Sequence, residues 1–306
     1  MLIYAKLLLT VIFWAGTFIA GSILGREGGP VSPFCAAFLR FAFASIPLVI
    51  ITLLKEKTLP RLKFPEIAAV IMLALSGVFV YHFLFLTGLE TIESSRASLI
   101  VATCPVFITF FSTLFFKEKL TTIKLAGIFL SVFGAVFVIT EGKLNEIFTR
   151  GFGKGELCIF GCVLCWATYS LIGKAMLHKL SGLIMVTYSV VLGAVMLFIP
   201  AVFDNLLTDI SSYTLYKDWP AVIYLAIFGT VIGYVWFYEG IKIVGPVKAA
   251  QFINFIPVFT VILAFIILKE KITVSLIAGT VLVLTGVFLT NSKFSFAKKE
   301  SVYEPA

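Results

Sequence analysis

Charge is what this 306-residue chain has least of: Asp, Glu, Lys and Arg make up only 13% of it, about half the usual share of a soluble domain. Histidine occurs twice, at His82 and His178. No Gly-rich loop ends in Gly-Lys-Ser/Thr, so there is no sign of an ATP-driven engine, and neither HExxH nor GxSxG appears. The five cysteines give no disulfide framework. Cys158, Cys162 and Cys165 fall along one helix face and read as small residues filling a helix contact, with no metal site expected. No loop is long enough for a soluble catalytic domain. The chain reads as no enzyme, with no cofactor.

What fills the space is hydrocarbon. Hydrophobic residues make up 60% of the chain, with a mean hydropathy of +1.08. Long uncharged runs alternate with short charged connections, and roughly twenty such residues span a bilayer core as a helix. The fold class expected is an all-α polytopic membrane protein. Its net charge of +8 is scattered among loops, where a nucleic-acid binder would gather it on one face. The lipid bilayer is therefore the expected partner, and nucleic acid is not.

Ten transmembrane helices are expected, over 3–24, 34–54, 66–88, 97–116, 122–140, 155–176, 182–203, 219–241, 248–268 and 274–292. The first continues through Trp14 and Phe18, beyond usual signal-peptide length, and is kept as a mature helix. With the N-terminus inside, fifteen Lys and Arg fall on the cytoplasmic side and eight on the other, with Arg40 inside a span. That bias predicts cytoplasmic termini.

The chain contains one pattern twice. Adding 152 carries Gly77 onto Gly229, Ala97 onto Ala249 and Pro105-Val106-Phe107 onto Pro257-Val258-Phe259. The same shift carries Lys117-Glu118-Lys119 onto Lys269-Glu270-Lys271 and Gly134 onto Gly286, with no gap between Ala69 and Phe137. This is an internal duplication. Five spans per copy is odd, so the expected architecture is two inverted five-helix repeats, at 1–145 and 155–292, followed by a short cytoplasmic tail at 293–306. Transporters use inverted repeats for alternating access, holding substrate near the midplane between the copies.

Both halves also resemble the EamA module of the drug/metabolite transporter superfamily. The first half does so through Phe13-Trp14-Ala15-Gly16-Thr17-Phe18, Phe38-Leu39-Arg40-Phe41 and Gly88-Leu89. Pro105-Val106-Phe107 and Lys117-Glu118-Lys119-Leu120 complete it. The second half does so through Trp166-Ala167, Gly240-Ile241, Gly245-Pro246-Val247-Lys248, Pro257-Val258-Phe259 and Glu270-Lys271-Ile272. Members commonly carry Gly before this Glu, where Lys precedes Glu118 and Glu270 here. The resemblance implies a ten-helix exporter or exchanger of small metabolites, often amino acids, with helices 1, 3, 4, 6, 8 and 9 around the cavity.

The substrate-site candidates are the polar and aromatic groups inside the spans. Arg40 heads them, because a buried cation in hydrocarbon is a functional hypothesis by default; it would hold a carboxylate, pair with Glu90 or Glu93, or snorkel to the interface. Trp14 and Trp166 occupy matching places, with Tyr169 one turn after the latter. Thr17, His82, Ser98 and Tyr234 are added to this set, as are Gln251 and Asn254, which share a helix face. Pro105 and Pro257 are the gating or hinge candidates, since proline breaks the helical ladder. Gly127, Gly134, Gly279 and Gly286, with the GxxxG pair Gly229 and Gly233, read as close helix contacts within the chain or in a homodimer.

The expected function is a secondary transporter that exports or exchanges a small-molecule substrate, an amino acid or relative, in a bacterial inner membrane. Import of a nucleotide-like metabolite and efflux of lipophilic cations are the rival transport readings. A non-transporting membrane assembly protein is the rival of another class.

Overall fold

The computed structural model describes residues 2–25, 32–116, 121–143, 153–176, 179–212, 218–244 and 252–291. Gln251, His178, the Lys117-Glu118-Lys119 triplet and the expected tail lie outside the described residues. Every element in the described residues is helical: α1 (Leu2–Leu24), α2 (Pro33–Glu56), α3 (Phe64–Leu89), α4 (Ser94–Val101) and α5 (Cys104–Phe116) come first. They are followed by α6 (Thr122–Ile139), α7 (Lys154–Met176), α8 (Gly182–Phe203) and the short α9 (Leu206–Ser212). Then come α10 (Asp218–Gly240, with its last turns running to Val244), α11 (Ile256–Leu268) and α12 (Val274–Asn291).

Eight stretches among the described residues are long and apolar enough to cross a membrane: α1, α2, α3, Ser94–Phe111, α6, α7, α8 and α10. The shorter apolar helices α11 and α12 stand where the ninth and tenth spans are expected. Many of the exposed side chains on these helices are large hydrophobics, among them Val195, Ile199 and Phe203 on α8 and Ile277, Val281 and Phe288 on α12. An apolar outer surface of this extent belongs in lipid.

The helices begin where short polar side chains satisfy their first N–H groups. Ser32 accepts from Phe34 N at 3.2 Å with Pro33 in the first turn of α2, and Ser181 accepts from Ile184 N at 3.3 Å at the start of α8. Glu66 reaches back to Lys63 N at 2.7 Å to start α3. The start of α4 is different. Glu270, just beyond the end of α11, accepts from Ser94 N (2.9 Å), Ser95 N (3.1 Å) and Ser95 Oγ (2.6 Å). A carboxylate from the second copy thus sits at the positive end of a helix of the first. It is presented by Lys269, whose φ of 59° ends α11 in the left-handed region.

The duplication is visible in the backbone irregularities. A π-helical stretch interrupts α3 at Leu75–Val80 and α10 at Leu225–Ile232, positions that overlap under the 152-residue shift. Turns break the chain at 102–103 and again at 254–255, the same positions in the two copies. Pro105 and Pro257 follow these breaks in the first turn of α5 and α11. Neither therefore kinks a continuous helix; each opens a new one, where its missing N–H costs nothing. The helices α6 and α12 pack through their glycines: a Cβ on Gly134 would lie 2.8 Å from Val283 N, and one on Gly286 would strike the Ser131 backbone. The glycine stripes are used inside the chain.

Candidate functional site

One cavity lies within the bundle, lined by Trp14, Thr17 and Phe18 of α1, Arg40 of α2, and Tyr81, His82 and Phe85 of α3. Val101, Cys104, Trp166, Tyr234, Ile253 and Ile256 complete the wall. The cavity volume is about 80 Å³, room for a few waters and short of the roughly 300–1,000 Å³ typical of small-molecule pockets.

The site grows out of the duplication. Eight of the thirteen lining residues are four pairs separated by 152: Trp14 and Trp166, His82 and Tyr234, Val101 and Ile253, Cys104 and Ile256. The first member of each pair comes from the first copy and the second from the other, so the cavity lies between the copies. Arg40 falls outside these pairs, since no residue 152 positions away from it lines the cavity.

Arg40 is 5% exposed. Its Nε donates to Thr230 Oγ1 at 3.1 Å, and Thr230 in turn donates to Leu225 O at 3.0 Å, across the π-helical stretch of α10. Gly229 leaves room for Thr17: a Cβ there would lie 2.7 Å from the Thr17 methyl and in ordinary contact, 3.5 Å, with Arg40 Nη2. The guanidinium carbon stands 5.2 Å from the Phe41 ring centre. Among the described residues no carboxylate pairs with Arg40; Glu90 and Glu93, its sequence candidates, do not reach it. Among the described residues the terminal nitrogens of Arg40 have no hydrogen-bond partner.

The aromatic walls are held in place by their own contacts. Trp14 donates its Nε1 hydrogen to Gly229 O at 3.0 Å, and its ring meets Tyr234 and Phe237 at 5.9 and 5.1 Å between centres. Thr17 donates back to Trp14 O at 2.6 Å. On the far wall Tyr81 packs against Trp166 at 5.7 Å and His82 at 4.7 Å. His82 Nδ1 lies 3.1 Å from Val78 O, which assigns the proton to Nδ1 and leaves Nε2 as an acceptor.

Six sequence-derived candidates come together at this cavity: Trp14, Thr17, Arg40, His82, Trp166 and Tyr234. Tyr169 lies behind Trp166, stacked on it at 5.4 Å, in a separate apolar cluster with Leu73 and Met185. Ser98 is buried on α4 with its hydroxyl donated to Ser95 O at 2.8 Å. Asn254 occupies the turn before α11 and is not among the lining residues. Tyr81, Phe85, Cys104 and Ile256 line the cavity without having stood out in the sequence; of these the shift of 152 links only Cys104 with Ile256. Cys162 and Cys165 have CxxC spacing, but Cys162 is buried with Sγ 3.3 Å from Tyr81 O. No cluster of three metal-ligating side chains occurs among the described residues.

Comparison with known proteins agrees with this architecture. The model of the EamA-like transporter family matches twice, over residues 1–140 and 153–292. An uncharacterized transporter of Bacillus subtilis (strain 168), YyaM, is 30% identical over 97% of this chain and 95% of its own length. An uncharacterized transporter of Archaeoglobus fulgidus is 31% identical, over 94% of this chain and 96% of its own length. A crystal structure at 18% identity superposes with a TM-score of 0.64 over 94% of this chain and 96% of that one, a likeness of fold.

Proposed function

The chain belongs to the EamA-like transporter family, and on that premise we propose that it is a secondary carrier exporting or exchanging a small carboxylate metabolite, an amino acid or relative. The observation that carries this reading is Arg40: a buried guanidinium, oriented through Nε by Thr230, lining a cavity walled by aromatic rings of both copies. A planar fork with free donors matches a carboxylate in two parallel hydrogen bonds. The rings supply apolar area for the remainder of the molecule. Lipophilic cations are disfavoured by the same residue, because they would meet like charge in a medium that screens little.

Alternating access follows from the duplication. If the copies are inverted, the paired lining residues exchange environments when the cavity turns from one side of the membrane to the other. The bacterial inner membrane, with both termini cytoplasmic, is the proposed setting.

Counterflow in proteoliposomes tests the reading. Vesicles loaded with an unlabelled panel of small carboxylates should take up a labelled member saturably, and Trp14→Ala should reduce the rate at least tenfold. Absence of saturable flux for every carboxylate, from protein shown to be folded, refutes it.

A further inference from the structure

We infer that the cavity selects solutes of net negative charge, carboxylates without an ammonium group, over zwitterionic amino acids of the same shape; this rests on the carrier reading above and narrows its solute from an amino acid to a relative that lacks the ammonium. Arg40 brings one positive charge into the bundle. None of the thirteen lining residues is acidic. Glu239, on the same helix as Tyr234, is already held by Lys6 at 2.8 Å and Lys55 at 2.6 Å at the end of the bundle where α1 begins. Glu270 is engaged with the start of α4. Among the described residues the cavity therefore has a fixed cation and no fixed anion.

A bound carboxylate neutralises Arg40, and the occupied site carries no net charge. A zwitterion delivers the same carboxylate but adds an ammonium, which makes the occupied site cationic again. That ammonium would be left with hydroxyl oxygens, the Nε2 of His82 and the faces of Trp14, Trp166 and Tyr81. Ring faces attract a desolvated cation, but neutral acceptors and ring faces supply no counter-charge to an ammonium held near Arg40 in a low-dielectric interior. No acidic residue of the other copy lines the cavity to restore the balance.

A matched trio of probes isolates the charge: 3-phenylpropionate, phenylalanine and phenethylamine share one body and differ in carboxylate and ammonium. Binding to the purified full chain is read from quenching of its tryptophan fluorescence, and competition from counterflow. The expected order is phenylpropionate at least tenfold tighter than phenylalanine, with phenethylamine weakest. Arg40→Gln should erase that preference, and Arg40→Lys should keep part of it. Should the glutamine variant not fold, the order measured on the wild type decides alone. Phenylalanine binding as tightly as phenylpropionate, or an unchanged preference in Arg40→Gln, overturns the inference. Failure of all three probes to bind also overturns it for this cavity. Saturable counterflow of any other carboxylate in that last case would keep the carrier reading and discard only the charge selection.

Discussion

Arg40 illustrates what a single residue reveals in an apolar chain. Its charge stands out within a hydrocarbon run, so its importance is legible in the sequence; that it turns to Thr230 and not to Glu90 or Glu93 is not. Tyr81, Phe85 and Cys104 are the opposite case, since in a chain rich in aromatic and aliphatic residues nothing distinguishes a lining ring from a packed one. Trp14 does both jobs, and Trp14→Phe separates them. The ring area stays while the hydrogen bond to Gly229 O is lost, so thermal unfolding in detergent should show a loss of about 1 kcal/mol. Glu93 offers a pH test outside the membrane-spanning helices. Partial withdrawal from water, and then the neighbouring Glu270 carboxylate, push its pKa above the ordinary carboxylate value of 4.5. The folded state thus favours the protonated acid, and stability falls as pH rises from that ordinary value through the raised one. Unfolding curves of Glu93→Gln should match wild type below pH 4.5 and lie higher at neutral pH.

At the scale of the elements, helix ends and helix contacts carry the argument. Lys269 occupies the left-handed region at φ 59°, where a side chain costs roughly 1 kcal/mol or more and glycine does not. Lys269→Gly should therefore raise the unfolding midpoint by the equivalent of about 1 kcal/mol, with the Glu270 cap on α4 retained. A midpoint that falls would show that the lysine side chain contributes something the backbone argument omits. Two glycines make a matched contrast. Gly134→Val drives a branched side chain into the Val283 backbone between α6 and α12, an overpacking expected to cost about 2–3 kcal/mol. Gly173→Ala on α7 meets nothing within 4 Å and should stabilise by about 1 kcal/mol through helix propensity. Opposite signs in thermal unfolding check the pair.

For the whole molecule, the expected orientation follows from fifteen Lys and Arg against eight. Fluorescent-protein fusions to the C-terminus should be bright in intact bacteria and protected from external protease, and an active phosphatase fusion at that end would reverse the topology. The sequence by itself determined that the chain lives in lipid, that it is one pattern repeated at 152 residues, and that one cation, Arg40, sits in a span. Composition and register carry those facts, because the bilayer demands long apolar helices and a duplication preserves spacing. Only the tertiary structure decided which of the paired residues meet. Trp14, Trp166, His82 and Tyr234 converge on one cavity while Tyr169 and Ser98 turn away into packing. The prolines open helices after duplicated breaks where the sequence suggests mid-helix kinks. Helical spacing sets which residues share a face, but the direction of that face is fixed by the neighbours that pack on it, and those neighbours lie a hundred residues or more away in the chain.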